Sequence, residues 1–176
     1  MVVSVALAAC DESSDQPAAY PDGTIAAILA GDDRFDTLME IVEKDAPRVF
    51  LASFTSTGTE ERKIDITWFA PTDEAFAALP PTTLDMLLDD DNVEDLQAIL
   101  DHHAIFTAYS VADLTSKAQS DEDEVPTIGD GPIRLTLVDG VLHVDEATVI
   151  DGDIEAVNGV IHVIDAVMIP DSVSIT

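Results

Sequence analysis

The chain of 176 residues carries 36 acidic and only seven basic side chains, which gives a formal net charge of −29. Such a polyanion repels phosphate groups, so the charge gives almost no basis for nucleic-acid binding by counterion release and disfavours docking on anionic lipid through a basic patch. Apolar residues make up 47% of the sequence, enough to bury the core of one domain. The acids are evenly spread, which favours a surface adapted to high salt over the alternative of a dedicated cation-binding surface.

A single cysteine, Cys10, follows the short apolar run of residues 2–9, so no intramolecular disulfide is expected. Small residues directly before a cysteine resemble the lipobox of bacterial-type lipoproteins, although no Lys or Arg precedes the run. The resemblance implies removal of residues 1–9 and a lipid on Cys10; a frayed apolar N-terminus with a buried thiol is the alternative. With residues 10–21 as a polar tether, we expect a cell-envelope location, periplasmic or cell-surface, anchored by the lipid alone.

Helical patterns dominate the chain after the tether. A short helix over residues 24–30 with Thr24 as its N-cap precedes an amphipathic helix whose apolar face carries Phe35, Leu38, Met39 and Val42. A third helix is expected over residues 47–54, followed by a solvated loop over residues 55–63.

A strand over residues 64–70 is predicted to stop at Pro71. Thr72 or Asp73 can cap the short helix after it, which ends at Pro80-Pro81. Another short helix contains Leu84, Leu87 and Leu88. In the next helix, capped by Asn92, one face carries Val93, Leu96, Leu100 and His103.

The C-terminal third changes to the period of strands and hairpins. Apolar residues alternate with polar ones from residue 133 to residue 137, as in a half-buried strand. Asp139-Gly140 and Asn158-Gly159 each predict a two-residue hairpin turn. Residues 160–169 are almost wholly apolar and are expected to form a central, covered strand. Helices first and hairpins last indicate an α+β domain.

Three ordered segments resemble the fasciclin domain. Residues 67–76 resemble its first signature, residues 99–114 its Tyr-His region, and residues 158–165 with Ile169-Pro170 its second signature. The match covers residues 22–172 and leaves 173–176 as a tail. The resemblance implies a fasciclin-like wedge, a β-sandwich with helices packed on it. It also implies a role in adhesion outside the cytoplasm, commonly without enzymatic activity.

The resemblance also implies possible interaction residues. In animal fasciclin proteins, the Tyr-His region and an Asp-Ile pair are implicated in integrin binding. Here His102 stands at the tyrosine position and is followed by His103, while Asp153-Ile154 matches the Asp-Ile pair. The alternative for that pair is a strand edge with an exposed acid.

Several motif residues also have structural explanations. Pro71 and Thr72 are typical of a helix start, and Asn158-Gly159 suits a type I′ turn, in which both central residues have positive φ. His103 and His162 lie on apolar faces, so we expect both to be buried and hydrogen-bonded instead of acting as ligands or bases.

The sequence contains no phosphate-binding glycine loop, zinc-protease helix motif or nucleophile elbow. Adjacent helical residues point about 100° apart, so His102 and His103 cannot both coordinate one ion. We expect no metal and no cofactor.

The sequence therefore favours a non-enzymatic adhesion or protein-interaction module whose partner is an unknown protein or envelope component. The alternatives are a carrier or sensor of a small apolar ligand held between helices and sheet, and a hydrolase that uses His102 or His103.

Salt should stabilise this protein. Repulsion among the acidic side chains is screened as the Debye length falls to about 3 Å at about 1 M salt. We expect the melting temperature, measured by circular dichroism, to rise between dilute buffer and about 1 M NaCl. A melting temperature that stays constant over this range would contradict the interpretation.

Overall fold

The computed structural model describes residues 20–45, 65–87, 92–129, 131–170 and 172–173. The expected signal segment, Cys10, most of the tether, the helix over 47–54, the loop over 55–63 and residues 174–176 lie outside the described residues. Within these described ranges, no helix combines the length and apolar character that a membrane crossing requires.

The first helices follow the predicted pattern. Helix α1 (Ile25–Ala30) is capped by Thr24, whose hydroxyl accepts a hydrogen bond from the backbone N–H of Ala27 at 3.2 Å. A 3-10 turn at Asp33–Phe35 then leads into α2 (Asp36–Asp45). The four residues of the predicted apolar face are all buried, although the first of them lies in the turn: Phe35, Leu38, Met39 and Val42.

The next segment begins with β1 (Ile66–Pro71) and α3 (Asp73–Ala77). Of the two candidate caps for α3, Thr72 is the one used, because its hydroxyl accepts from the N–H of Ala75. The carboxylate of Asp73 instead accepts from the N–H of Thr37 at 2.8 Å, which fastens α3 to α2. Helix α4 (Pro81–Leu87) begins after a short connection over residues 78–80.

In helix α5 (Val93–His102) and the residue after it, Leu96, Leu100 and His103 of the predicted face are buried, but the expected cap is wrong. The side chain of Asn92 makes no hydrogen bond to the first turn of α5, and its backbone, with φ −109° and ψ 27°, lacks the extended conformation of a cap. Strand β2 (Ala104–Ile105) follows. Helix α6 (Val111–Ala118) begins with a capping box in which Ser110 and Asp113 each bond the other's backbone N–H.

In the described part of the chain, seven strands form one sheet in the order β2-β1-β7-β6-β5-β4-β3. Among these strands only β1 and β7 pair in parallel. Beyond β3, the N–H of Ile128 donates to the carbonyl of Ala104 at 2.7 Å, so the sheet almost closes on itself. The remaining strands are β3 (Glu124–Pro126), β4 (Pro132–Val138), β5 (Val141–Val144), β6 (Ala147–Ala156) and β7 (Gly159–Ile164).

One predicted hairpin turn is confirmed and the other is displaced by one residue. Asp139 and Gly140 connect β4 to β5 with φ of 52° and 84°. Between β6 and β7, Ala156 pairs with Gly159, so the turn residues are Val157 and Asn158, neither with positive φ. Gly159 is required for another reason: its φ is 156°, and a Cβ there would collide with the carbonyl of Ile66 on β1.

The predicted α+β architecture is confirmed, with hydrophobic clusters on both faces of the β1–β7 pair. One cluster joins alternate residues of these strands, including Trp68 and Val163, to α1, α2 and α5. The other joins Phe69 and Ile164 to β4, β5 and α6. The predicted covered strand is central, as expected, but it ends at Ile164 instead of residue 169.

Substituting Gly159 should be far more destabilising than substituting Gly140. Gly159→Ala places a methyl group against the Ile66 carbonyl and disturbs the β1–β7 pairing, so we expect a loss of about 3 kcal/mol or more in the free energy of unfolding. Gly140→Ala, in open space, meets only the backbone penalty of about 1–2 kcal/mol. Urea denaturation measures both, and equal losses would contradict the assigned role.

Candidate functional site

The structure distributes the predicted site residues over separate places. Pro71 ends β1 and Thr72 caps α3, so this pair has the backbone role that its sequence suggested. Cys10 lies outside the described residues. His103 lies in the core on the helical side of the sheet, and His162 lies on the opposite face near Asp153. His102 lines a cleft.

His103 is buried and both of its ring nitrogens are engaged. Nδ1 lies 2.7 Å from the carbonyl oxygen of Ile99, and Nε2 accepts from the N–H of Met168 at 3.1 Å. This pattern requires a neutral ring with its hydrogen on Nδ1. Burial is the main reason that the pKa of His103 is lowered to about 4, and the neighbouring His102 adds to it. The prediction of a buried, hydrogen-bonded histidine is confirmed.

His162, on the other face of the sheet, also has both ring nitrogens hydrogen-bonded, but with donor and acceptor exchanged. Its Nδ1 accepts from the N–H of Asp153 at 3.2 Å, and its Nε2 donates to the carbonyl of Tyr109 at 2.9 Å. The ring lies 5.6 Å from that of Phe69, centre to centre. Burial lowers the pKa of His162 below its ordinary value, and the hydrogen bond to Tyr109 partly opposes this. The expectation of a buried, bonded imidazole is confirmed here too.

Asp153 and Ile154 have different surroundings although they are adjacent. Asp153 lies in the irregular part of β6 with a φ of 58°, and its carboxylate accepts from the N–H of Val111 at 2.8 Å. It therefore holds the first residue of α6 against β6. Ile154 is half-buried against the cluster on the helical side. The pair thus links elements of the fold, and its role in binding a partner stays a prediction.

Asn158 has a function that sequence reasoning missed. Its side chain is fully buried, and Oδ1 accepts from the N–H of Ile25 at 2.9 Å. Its own carbonyl accepts from the N–H of Ile66 at 3.2 Å. One residue therefore connects α1, β1 and the β6–β7 turn. An Asn before a Gly indicates a turn, but nothing in the local pattern reveals a contact with Ile25.

His102 is the histidine that faces a cleft. It is 5% exposed, and its Nε2 lies 3.2 Å from Oδ2 of Asp145. Asp145 occupies the β5–β6 turn with a φ of 53°, and its Oδ1 accepts from the N–H of Arg134 at 2.7 Å. Sequence reasoning did not select Asp145. The available signal was an acid between two alternating strands, a position where Asp tolerates left-handed backbone.

The cleft beside His102 has a volume of about 640 Å³ and is open to solvent on one side. Its walls combine acidic, hydroxyl and apolar groups: Asp145, Glu146, Ser172, Pro132, Val167 and Ile169. His102 points to this cleft, whereas His103 bonds within the core, so the predicted divergence of the two rings is confirmed. In the described part of the chain, no three His, Cys, Asp or Glu side chains converge on a common metal position.

A second cavity lies between α2, α5 and β1, where the sequence suggested that an apolar ligand could be held. Its volume is about 10 Å³, which is room for about one water molecule. The side chains around it, including Leu38, Trp68 and Leu100, pack against one another. This part of the core therefore offers no space for an apolar ligand.

Comparison with known proteins identifies the family. The family described as the fasciclin domain matches residues 33–170. The chain is 37% identical over 147 residues to Protein sll1483 of Synechocystis, across 84% of this chain and 73% of that protein. It is 31% identical over 153 residues to the transforming growth factor-beta-induced protein ig-h3 of Oryctolagus cuniculus. That match spans 85% of this chain but only 20% of the relative.

A solved structure shares the fold. It is that of a FAS1 domain pair from the insect cell adhesion molecule fasciclin I, with a TM-score of 0.71 and 22% sequence identity. The alignment covers 86% of this chain and 52% of the solved chain, so the present domain corresponds to about half of that structure. The predicted fasciclin-like fold is confirmed.

Acid should destabilise the folded protein through its buried histidines. Below about pH 6.5 an unfolded imidazole takes up a proton, whereas folded His103 stays neutral down to about pH 4. Stability is therefore present above pH 6.5 and is lost as the pH falls to 4, by roughly 3 kcal/mol from His103 alone. Because the pKa of His162 is also lowered, its contribution has the same sign.

Urea denaturation at fixed high salt between pH 7 and pH 4 measures this loss. The variant His103→Gln, which cannot titrate there, should be less stable at pH 7 but show a shallower dependence on pH. Long-range ¹H–¹⁵N spectra should show the neutral Nδ1–H form of His103 at pH 5.5. A protonated His103 ring at that pH would contradict the prediction.

Proposed function

Because this chain belongs to the fasciclin domain family, we propose that it is an adhesion or protein-interaction module, held outside the cytoplasm by a lipid on Cys10. The match over residues 33–170 carries the proposal, and the fold shared with an insect cell adhesion molecule supports it. The partner is a protein or another component of the cell envelope.

His103 and His162 are in a state that favours a structural role over catalysis. A general base needs a nitrogen that can exchange a proton with a substrate. In His103 and His162 both nitrogens are already bonded to backbone groups in the interior. We therefore propose a module without catalytic activity, which acts through the surface that it presents.

The negative charge of the chain disfavours direct binding to a membrane surface. With a net charge of −29, the domain is repelled by anionic headgroups, so attachment needs a hydrophobic anchor. The apolar run that ends at Cys10 supplies the sequence signal for one. The same charge supports a salt-rich setting, in which the repulsion is screened.

The anchor is tested by substituting its acceptor. In a host that processes lipoproteins, the full-length protein should stay with membranes washed in high salt and should enter the detergent phase on extraction. Cys10→Ala should move to the aqueous phase, because it removes the only thiol. Ser14→Ala, in the same polar segment, is the matched control and should remain with the membrane.

If Cys10→Ala fractionates like the parent protein, or if mild washing releases both, the anchor is refuted.

Adhesion is measured in a separate experiment, with beads coated in folded protein and mixed with intact cell envelopes at native salt. Folded protein should bind more envelopes than acid-unfolded protein or an unrelated protein of similar charge. Equal binding by all three coats would refute adhesion.

A further inference from the structure

The ring of His162 joins β7 to two neighbouring elements only while it is neutral. Its Nδ1 accepts from the N–H of Asp153 on β6 at 3.2 Å, which requires a nitrogen without hydrogen. Its Nε2 carries the hydrogen and donates to the carbonyl of Tyr109, two residues before α6, at 2.9 Å. A charged imidazole has hydrogens on both nitrogens, so protonation abolishes the first of these bonds.

Asp153 connects this histidine to the first turn of α6. Its carboxylate accepts from the N–H of Val111, the first residue of the helix, at 2.8 Å. The backbone of Asp153 has a φ of 58°, a left-handed conformation that residues other than glycine rarely adopt. It lies where the pairing of β6 with β7 shifts register. This conformation is therefore maintained by the contacts of Asp153, including those to His162 and Val111.

The three elements come into close contact at Gly152. A Cβ at this position would collide with the side chain of Val111 and lie 3.1 Å from Nδ1 of His162. Because β6 passes this close to both, a change in the bond at Nδ1 moves backbone that also contacts the start of α6.

Protonation gives the ring a different partner. With a hydrogen on Nδ1, the ring and the N–H of Asp153 present two donors to each other, and these repel. The carboxylate of the same residue interacts electrostatically with the ring. A charged imidazole attracts this carboxylate more strongly than the neutral N–H of Val111 does. The bond that holds the start of α6 is then lost.

The other described charged side chains near the ring are engaged elsewhere. On β6 and around α6 they make the following contacts: Asp151 with Arg34, Asp113 with Ser110, and Lys117 over the ring of Tyr109. From β1 the ring meets Phe69, which is uncharged. Burial lowers the pKa of His162, whereas the hydrogen bond to Tyr109 and the charge of Asp153 oppose that shift. Asp153 is thus the acid whose position depends on the charge of the ring.

We propose that His162 is an acid-sensitive switch, whose protonation transfers the carboxylate of Asp153 from Val111 to the ring and releases the start of α6 from β6. The switch is closed above about pH 6.5, where even a solvated imidazole is mostly neutral, and opens as the pH falls. The segment before α6 carries Phe106, which is 66% exposed, so opening rearranges a surface that a partner can contact. The inference does not depend on what the module binds.

Amide hydrogen exchange of the purified full-length protein tests the release of α6, at fixed high salt and at pH 7 and 5. Rates are corrected for the intrinsic dependence of exchange on pH. The N–H of Leu114 donates to the carbonyl of Ser110 at 3.0 Å, and its protection should fall about tenfold, as for the loss of one or two hydrogen bonds. Ile28, which makes the corresponding bond to Thr24 in α1, should keep its protection, because the rest of the fold stays closed.

Two asparagine variants test the origin of the response. Asp153→Asn keeps an oxygen that can accept from Val111 but removes the charge. The pKa of His162, followed by long-range ¹H–¹⁵N spectra, should therefore fall, and Leu114 should stay protected at pH 5. Asp151→Asn is the matched control, since it makes the same change at another acid of β6, and it should leave both readouts close to those of the parent protein.

A third variant, His162→Gln, cannot titrate and should give Leu114 the same protection at both pH values. Equal protection of Leu114 at pH 7 and 5 in the parent protein would overturn the proposal. So would a parallel loss at Ile28, a pKa of His162 that falls equally in both asparagine variants, or a full response to pH in His162→Gln. If His162→Gln does not fold, the parent protein and the two asparagine variants decide the question.

Discussion

The parallel pairing of β1 with β7 is the contact on which both hydrophobic clusters depend. These strands send alternate side chains to opposite faces, so each cluster takes part of its core from both of them. The pair begins where Gly159 allows the backbone of Ile66 to come close. It ends where the N–H of Thr72 donates to the carbonyl of Ile164 at 3.3 Å. The signature residues of the family thus define the fold more than they define a binding site.

Helix caps and hairpin turns whose hydrogen-bond partners lie within a few residues could be predicted from the sequence. Thr24 and Thr72 cap helices because their partners lie three residues away, and Asp139-Gly140 forms its turn from its own backbone preferences. Asn158 was interpreted only as a turn residue, because the same residue type suits both a local and a distant partner. For Asn158 the distant one, Ile25 on α1, decides its role.

In the candidate site, too, the features set by local sequence could be predicted and those set by distant contacts could not. The burial of His103 and His162 follows from the apolar faces on which they lie, and that much was visible in the pattern. The cleft was not, because it forms between the end of α5, the β5–β6 turn and the segment after β7. Asp145 gains its importance only when folding brings it to His102. The lipid on Cys10 is inferred from sequence alone.

The position of β7 as the last strand of the domain has a consequence for biogenesis. During synthesis, β1 emerges early, yet its parallel partner becomes available only when nearly the whole domain has been made. Until then, an apolar strand centred on Trp68 has an unpaired edge, the kind of segment through which nascent chains associate. The large negative charge keeps such incomplete chains apart through mutual repulsion. The acidic composition thus opposes association at the stage when β1 still lacks its parallel partner.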